Sequence, residues 1–452
     1  MKLIQWISPP NNIKACVIAI LPLMISQVLQ RLYQIVDSRY ITSLGQQALI
    51  IHSIQYNFVA FGQLIGIATA TSCLIFWRRK ECLEKQGSIL IRHLLLTAGF
   101  CIVIGMPAAI FAKQIITSYK VNSFYIHIGS VYLCIGLINM VLQALYGSLD
   151  GMLTASNQQR KSMIISAVLV IANIVIDAYA IHVVFSNNII TPQTIFYPMI
   201  IIGLSTTLFL SLACLIATYL VVKKVNGWNK IYFQEISSVW LSETGVYFIR
   251  GFIPFIFAYQ LVMIISSPGF LATYQLTFHL SYIFCLPLLA AMQISVRDAS
   301  EYFSQQKKEK LNEIPQWWRE LFYTGLLPTF CLLIIGILFY QLILKLVYNY
   351  IAPIDQASYI PVYFFACMIG QIGNALTVPI RARKANYLIT RNFFITQLII
   401  MLGCTQILLI FHLATPLTIG LVIVLNCLAQ VVLNLFCIKS LSLKEIKNVS
   451  LG

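Results

Sequence analysis

The sequence predicts an all-α integral membrane protein with twelve transmembrane helices in two lobes of six helices. Hydrophobic residues make up 59% of the chain and charged residues only 10%, and long apolar stretches recur throughout its 452 residues. A soluble domain is typically about one quarter charged. Apolar stretches of about 20 residues are long enough to cross a bilayer as helices, and a helix pairs its backbone polar groups internally, as lipid requires.

Short polar or basic segments separate the predicted spans. The N-terminal lobe (1–224) contains spans one to six, a cytoplasmic linker covers 225–238, and the C-terminal lobe (239–452) contains spans seven to twelve. The spans cover approximately residues 14–40, 48–76, 88–111, 122–150, 162–185, 196–222, 239–265, 270–296, 317–344, 359–380, 389–411 and 416–438.

The net charge of +16 is distributed unevenly between the two sides of the membrane. With the N-terminus in the cytoplasm, 24 of the 30 Lys and Arg residues fall on the inner side. Membrane proteins are oriented so that loops rich in Lys and Arg lie on the cytoplasmic side. It places both termini in the cytoplasm of a multi-pass protein of the inner (cell) membrane, and it explains the basic composition without nucleic-acid binding.

The two halves resemble each other weakly. Leu21-Pro22 in span one matches Ile253-Pro254 in span seven, and Gln143-Ala144-Leu145 in span four matches Asn374-Ala375-Leu376 in span ten. Because each half crosses the membrane six times, the repeats share one orientation. Such repeats are related by a pseudo-twofold axis along the membrane normal.

Span one carries a polar face within an apolar helix. Gln27, Gln30, Gln34 and Asp37 follow steps of three and four residues and therefore share one face. Arg31 and Tyr33 lie at the edges of this face, and Pro22 is a predicted hinge because proline kinks helices. Polar groups at membrane depth face the bundle interior or a water-filled cavity.

Two further spans of the first half carry polar faces. Span four presents Asn139, Gln143, Tyr146 and Asp150, and span five presents Asn173 and Asp177 one turn apart. Three polar helices in one lobe predict a hydrated pocket. The alternative is that the amides only bond one helix to another, and that Asp150 pairs with Arg160 or Lys161.

Asp37 and Asp177 are the candidate ion-coupling residues, with Asn173 as a hydrogen-bonding partner. Burial and a second carboxylate both disfavour the charged form of an acid, so an adjacent pair would take up a proton readily. The same oxygens could instead bind Na⁺ at Asp37 and Asp177. Direct pairing of Arg31 with Asp37 is a less favoured alternative, because residues six apart are not neighbours on a helix.

The second half has fewer charges within its spans. Arg250 could attract an anionic group, or contact backbone carbonyls at the kink predicted for Pro254, the second hinge candidate. Glu243 is interpreted as an interfacial end residue. Span ten offers Gln371 and Asn374 as cavity-lining candidates, without an acid.

Other classes of mechanism find no support in the sequence. There is no phosphate-binding GxxxxGK[ST] motif and no HExxH metal motif, and the twelve cysteines form no CxxC pair. A transporter would therefore draw its energy from an ion gradient.

The chain resembles the multidrug and toxic compound extrusion (MATE) family across all twelve spans. In the first half the motifs are Leu21-Pro22, Leu32-Tyr33-Gln34-Ile35-Val36-Asp37, Leu44-Gly45, Asp150-Gly151-Met152-Leu153-Thr154-Ala155, and Asn173 with Asp177. In the second half they are Leu271-Ala272-Thr273-Tyr274-Gln275-Leu276 and Arg381-Ala382-Arg383-Lys384.

The resemblance implies a secondary antiporter rather than an enzyme, with two lobes around a central cavity that work by alternating access. It implies export of organic, often cationic or amphipathic, compounds in exchange for H⁺ or Na⁺. Asp37, Asn173 and Asp177 match the family's coupling cluster in the N-terminal lobe. Some members use an acid in span ten, where this chain has Asn374.

Two alternatives stay open at this stage. One is a flippase for lipid-linked oligosaccharides, for which Arg31 and Arg250 would supply the basic cavity. The other is a membrane-embedded transferase. For the antiporter we expect no cofactor beyond the coupling ion. Its partners would be membrane lipid and small organic substrates, with no nucleic acid, and the protein would be a monomer.

Overall fold

We describe the fold from a computed structural model of the chain. It covers residues 13–77, 80–119, 121–185, 192–229, 233–264, 268–304, 316–348, 350–383 and 385–450. All regular structure within these ranges is helical.

The first half of the chain forms six long helices, each at a predicted span. They are α1 (Ile13–Ser43), α2 (Gln46–Trp77), α3 (Gln86–Ile110), α4 (Ile126–Ala155), α5 (Gln159–Phe185) and α6 (Pro192–Val222). Gly45, with a φ of 108°, makes the turn between α1 and α2, a backbone conformation that suits glycine.

The second half forms helices at all six remaining predicted spans. They are α7 (Phe233–Ile264), α8 (Pro268–Phe284), α9 (Leu286–Ser304), α10 (Gln316–Tyr348), α11 (Ile354–Ala382), α12 (Asn386–Ile410) and α13 (Pro416–Ser450). One π-helical stretch interrupts α10 at Phe322–Leu326, and another interrupts α12 at Thr396–Gly403. α11 is composed of three short helical segments in close succession.

Length and composition identify these helices as a multi-pass membrane bundle. Nine helices in the described ranges are long and apolar enough to cross a membrane, and α8 with α9 forms a tenth, bent span. The remaining two predicted spans coincide with α1 and α7, helices of 31 and 32 residues.

Span eight differs from its prediction as one continuous helix over 270–296. It consists of α8 and α9, bent by 50° at a break next to Cys285. The cause lies in Pro287, the second residue of α9. Proline has no backbone N–H to donate to the preceding turn and is favoured at the start of a helix, so a new helix begins here.

The chain divides into two compact units. One covers Ile25–Ile236, and the other combines Met1–Met24 with Ser237–Gly452. The assignment of residues 1–224 and 239–452 to two functional lobes stays a prediction.

In the first unit, small residues allow α2 and α4 to pack closely. A Cβ added to Gly66 would lie 3.1 Å from the Cα of Gly147, and one added to Gly62 would lie 2.2 Å from the carbonyl oxygen of Met140. Small residues at such contacts are typical of membrane helix packing, because dispersion forces replace the hydrophobic drive there. This contact holds the polar side chains of α2 against α4.

The start of the predicted linker is attached to the segment before α3. The Gly87 amide donates to the Gly227 carbonyl at 2.9 Å, and the Asn229 amide donates to the Glu84 carbonyl at 3.0 Å. The indole of Trp228 covers Gly87 so closely that an added Cβ would lie 2.2 Å from the ring. These contacts fix residues 226–229 to the first unit.

In the second unit, amides bond α11, α12 and α13 together. Asn392 donates to the side-chain oxygen of Asn434 at 3.0 Å, and Asn434 donates to the Gly373 carbonyl at 3.0 Å. Both asparagines are fully buried. The amides therefore act as interhelical bonds beside the cavity described below.

Candidate functional site

Two carboxyl groups meet inside the first unit. Asp37, near the end of α1, and Asp177 on α5 are both buried, and their side chains lie within hydrogen-bonding reach of each other. Two carboxylates at this separation repel each other unless a proton or a cation lies between them. The structure thus brings together the two acids that the sequence singled out.

Asp177 accepts more hydrogen bonds from described residues than Asp37 does. Asn173 donates to its Oδ2 at 2.8 Å, and the Ser205 hydroxyl on α6 donates to its Oδ1 at 2.8 Å. Hydrogen bonds to a carboxylate favour its ionised form. The Oδ1 atom of Asp37, in contrast, has no hydrogen-bond partner among the described residues.

A second chain of polar groups runs beside Asp37. The Ser38 hydroxyl lies 3.1 Å from Nε2 of His52, and Nδ1 of His52 lies 3.0 Å from the Tyr132 hydroxyl. All three side chains are buried. Each ring nitrogen of His52 therefore has a partner, and the chain joins α1, α2 and α4.

A small cavity of about 20 Å³ adjoins Asp37. Its walls include Asp37, His52, Tyr132, Asn139 and Thr206. A polar cavity of this size with several hydrogen-bonding partners can hold a water molecule. Such a water would connect Asp37 to the hydrogen-bonding groups around it.

Asn139, predicted to line a cavity, also bonds two helices together. Its amide donates to the Gly203 carbonyl at 3.2 Å, and its oxygen accepts from Thr207 at 2.7 Å. Since both of its polar ends are occupied by α6, its first role is to fix α4 against α6. The alternative of interhelical bonding thus applies to this residue.

Gln143 and Tyr146 line a different cavity, of about 40 Å³, together with Ser166 and Asn173. Tyr146 lies 2.8 Å from the Ser166 hydroxyl. The three predicted polar faces therefore do converge, but they border two neighbouring cavities in place of one.

A chain of hydroxyl groups connects Tyr146 to Asp150. Ser166 lies 2.9 Å from Ser26, Ser26 lies 3.3 Å from Ser162, and Ser162 donates to the Asp150 carboxylate. Each hydroxyl can accept one bond and donate the next. Asp150 is thus held by Ser162, whereas Arg160 and Lys161, the expected partners, are exposed.

Most of the polar face of span one lies outside the described side chains. This applies to Gln30, Arg31, Tyr33 and Gln34, and in the second half to Arg250 and Pro254. Gln27 is partly buried, and its Oε1 has no partner among the described residues. Pro22 lies inside α1, as expected of a hinge.

The cavity-lining candidates of the second unit do border a cavity. Asn374 donates to Gln371 at 2.9 Å, and both line a cavity of about 180 Å³. Gln397, Asn426 and Gln430 contribute three more amides from α12 and α13. We call this space the amide cavity.

The interpretation of Glu243 as an interfacial end residue is wrong. Glu243 is completely buried and accepts a hydrogen bond from Nε of Arg381 at 2.9 Å. Arg381, the first residue of the basic motif in the second half, is also buried, with only 2% of its side chain exposed. It also donates to Thr377 at 3.0 Å. A buried charge is tolerated only with such partners.

Sequence reasoning missed Ser205, Tyr132 and His52 as residues of the site. Serine and tyrosine are common in membrane helices, and nothing in their spacing separates them from ordinary packing residues. His52 carried a weak signal, since a histidine inside an apolar span is rare. Its proximity to Ser38 could be inferred, because the turn at Gly45 makes α1 and α2 neighbours in the chain.

The site has no conventional cluster of metal ligands. In the described ranges, no three or more His, Cys, Asp or Glu side chains are arranged to hold a metal ion. The free oxygens nearest the acid pair are Oδ1 of Asp37 and Oδ1 of Asn173, which lack partners in the same ranges. The arrangement can hold a proton directly, and a cation only with these weaker ligands.

Comparisons with known proteins agree with the resemblance. A family model described as MatE matches residues 22–179, whereas no curated protein matches the chain. A transporter of the MOP superfamily from Pyrococcus furiosus is 14% identical, with a TM-score of 0.76 and 98% of each chain covered. An outward-facing multidrug resistance MATE transporter is 14% identical, with a TM-score of 0.75 and 99% of each chain covered.

A MATE protein in complex with MaL6 is equally similar, with 14% identity, a TM-score of 0.76, and 98% of this chain and 99% of that chain covered. The MATE resemblance and the predicted fold class are thereby confirmed. The chain therefore has the fold of these transporters over nearly its whole length, and its residues 22–179 match the MatE family model. Its long apolar helices are those of a multi-pass membrane protein.

Proposed function

We propose that this protein exports small organic compounds in exchange for protons, by alternating access, with Asp37 and Asp177 as the proton-binding pair. The observation that carries the proposal is the contact of two buried carboxyl groups, each from a different helix. One proton shared between them removes the repulsion, so the pair takes up and releases a proton as a unit.

The hydrogen bonds around the pair favour the proton on Asp37. Asn173 and Ser205 both donate to Asp177, which stabilises it as the carboxylate. Asp37 then carries the hydrogen and donates it to Asp177. Loss of the proton leaves two adjacent negative charges, and their repulsion drives the end of α1 away from α5.

Pro22 lies between this end of α1 and its beginning. A proline interrupts the backbone ladder of a helix, so bending is easiest there. In the proposed cycle, protonation straightens or bends α1 at Pro22 and thereby selects one conformation of the transporter. Substrate must prefer the opposite conformation, since a ligand shifts an equilibrium only by its differential affinity.

Sodium is the second candidate ion. Oδ1 of Asn173 and Oδ1 of Asp37 are buried without partners in the described parts of the chain. Oxygen ligands of this kind suit Na⁺ once both acids are ionised. The proton is favoured because the acids lie within bonding reach of each other, a separation that leaves little room for a cation between them.

Compounds of drug size are the proposed substrates, without a bound cofactor. One of the similar structures is a multidrug resistance transporter, and the described cavities of the first unit are lined by aromatic, amide and carboxyl groups. The flippase alternative depends on Arg31 and Arg250, whose side chains lie outside the described residues. We place the protein in the inner membrane as a monomer surrounded by lipid, with both termini in the cytoplasm.

Transport in proteoliposomes tests the proposal. We expect an imposed pH gradient to drive exchange of ethidium or a related cationic dye, and a Na⁺ gradient at constant pH not to drive it. Driving by Na⁺ alone would assign the coupling to sodium. No exchange under either gradient, combined with saturable binding of a lipid-linked oligosaccharide, would favour the flippase.

A further inference from the structure

The amide cavity of the second unit has a wall chemistry unlike that of the acid site. Five amide side chains and four aromatic side chains line it, and its volume is about 180 Å³. Cavities that bind small molecules combine apolar walls with a few polar groups. The amides are Gln371, Asn374, Gln397, Asn426 and Gln430, and the aromatic residues are Tyr274, Phe278, Tyr363 and Phe393.

Two of the amides have free polar atoms. Oδ1 of Asn426 and Nε2 of Gln430 lack hydrogen-bond partners in the described ranges. Each residue is only 4% exposed. A buried polar atom without a partner is unfavourable, so a ligand that satisfies both atoms gains affinity.

The two free atoms are complementary in kind. Asn426 offers an acceptor and Gln430 offers a donor, and they lie one helical turn apart on α13. Residues four apart on a helix face the same way, at about 5–6 Å between Cβ atoms. A group that presents an N–H beside a C=O, as a cyclic amide does, is complementary in kind to this acceptor and this donor.

The charge and shape of the cavity further restrict the class of ligand that it can bind. Every residue that lines the cavity is uncharged, and burial of an ion without a counter-charge is costly. The aromatic walls favour a flat ring.

We propose that the amide cavity binds uncharged, planar aromatic compounds that carry an adjacent N–H and C=O, and that it is a substrate subsite of the transporter. The role as a substrate subsite rests on the proposed export function, whereas binding itself does not. The substrate range then includes neutral heteroaromatic amides in addition to cations.

A matched set of small probes tests the binding. 2-Quinolone is neutral and carries the N–H and C=O pair, N-methyl-2-quinolone lacks the N–H, and N-methylquinolinium has a similar shape with a positive charge. With the full-length protein in lipid nanodiscs, we expect 2-quinolone to bind at least about tenfold more tightly than the cation. Equal or tighter binding of the cation would overturn the proposal, as would the absence of saturable 2-quinolone binding.

Two variants locate the contacts. Asn426→Leu and Gln430→Leu should each weaken 2-quinolone binding about five- to tenfold, the loss expected for one buried hydrogen bond. Asn426→Leu should leave N-methyl-2-quinolone binding unchanged, because that probe has no N–H for Asn426 to accept. If both variants bind 2-quinolone like the unmodified protein, the assignment is wrong.

Gln158→Leu provides the matched control. Gln158 is also a buried glutamine whose side-chain atoms lack partners in the described ranges, but it lies outside the amide cavity. Its replacement should leave 2-quinolone binding intact. If Gln430→Leu does not fold, Gln430→Asn keeps the amide with a shorter reach and should still show weakened binding.

The proposed export function and the proposed ligand site in the amide cavity can be refuted independently of each other. Asp37→Asn should abolish proton-driven exchange while 2-quinolone still binds, because the amide cavity contains no part of the acid pair. Retained dye exchange without 2-quinolone binding would overturn only the present inference. Retained 2-quinolone binding without exchange in the unmodified protein would overturn only the proposed function.

Discussion

Asp150 in the first unit and Arg381 in the second occupy matching places in the two halves. Each lies seven residues after the start of the shared motif, Gln143-Ala144-Leu145 in one half and Asn374-Ala375-Leu376 in the other. Both side chains are buried. The charge is therefore reversed between the halves, and each half stabilises its buried charge by a different means.

Neutral hydroxyl groups surround the acid, whereas an opposite charge compensates the arginine. Asp150 accepts from Ser162, the end of a hydroxyl chain that includes Ser26 and Ser166. Arg381 pairs with Glu243. An aspartate can lose its charge by taking a proton, but an arginine in a protein cannot. The comparison teaches that groups able to change charge are concentrated in the first unit, while the second unit has a permanent ion pair.

The largest expected difference between the halves concerns coupling. Asp37→Asn and Asp177→Asn should each reduce pH-driven dye exchange to background, because neither variant can exchange a proton at the pair. Measured at several pH values, any residual flux should no longer depend on pH. Full pH-driven exchange by both variants would refute the assignment.

The double variant Glu243→Met with Arg381→Met is the control from the second unit. It removes both charges of the ion pair together, a replacement that is often neutral for stability. It should keep pH-driven exchange. Loss of coupling in a folded double variant would place a required titrating group in the second unit.

Breaking the ion pair on one side should cause the largest loss of stability. Arg381→Met alone leaves Glu243 buried and unpaired, which we expect to cost about 3–5 kcal/mol. Thermal unfolding of the detergent-solubilised protein measures this effect, and adding Glu243→Met should recover most of it. A single variant as stable as the unmodified protein would show that the pair contributes nothing.

Asp150 should tolerate neutralisation, in contrast to Arg381. In Asp150→Asn the amide oxygen can still accept the Ser162 hydroxyl, so we expect a loss of less than about 1 kcal/mol. Asp150→Leu leaves Ser162 without its acceptor and should cost about 1–3 kcal/mol. Equal unfolding temperatures for the two variants would contradict the importance of this bond.

The smallest effect is expected along the hydroxyl chain itself. Ser162→Ala removes the link between Ser26 and Asp150, and a single neutral hydrogen bond contributes about 1 kcal/mol. The comparison of thermal unfolding between Ser162→Ala and Ser211→Ala tests this, since Ser211 donates to the Thr207 carbonyl of its own helix. The first variant should be the less stable of the two.

Much of the fold and part of the site could be predicted from the sequence. Apolar length determined the spans, and helical spacing placed Asp37, Asn173 and Asp177 on faces that meet in the structure. Such residues are recognisable because a carboxylate at membrane depth is rare, so each acid restricts the possible arrangements strongly.

Contacts between distant residues could not be predicted in the same way. Glu243 and Arg381 are 138 residues apart, and each resembles an interfacial residue when viewed alone. Ser205 donates to Asp177 across 28 residues, but serine is unremarkable in an apolar helix. The bend between α8 and α9 depended on Pro287, whose position near a helix start became clear only with the helix boundaries.

The attachment of Asn229 and Gly227 to Glu84 and Gly87 has a consequence for dividing the molecule into two polypeptides. Those residues belong to the linker by position but to the first unit by their hydrogen bonds. A pair of co-expressed fragments should therefore be separated after Asn229, because a cut before Asn226 would give the wrong fragment the tryptophan that covers Gly87.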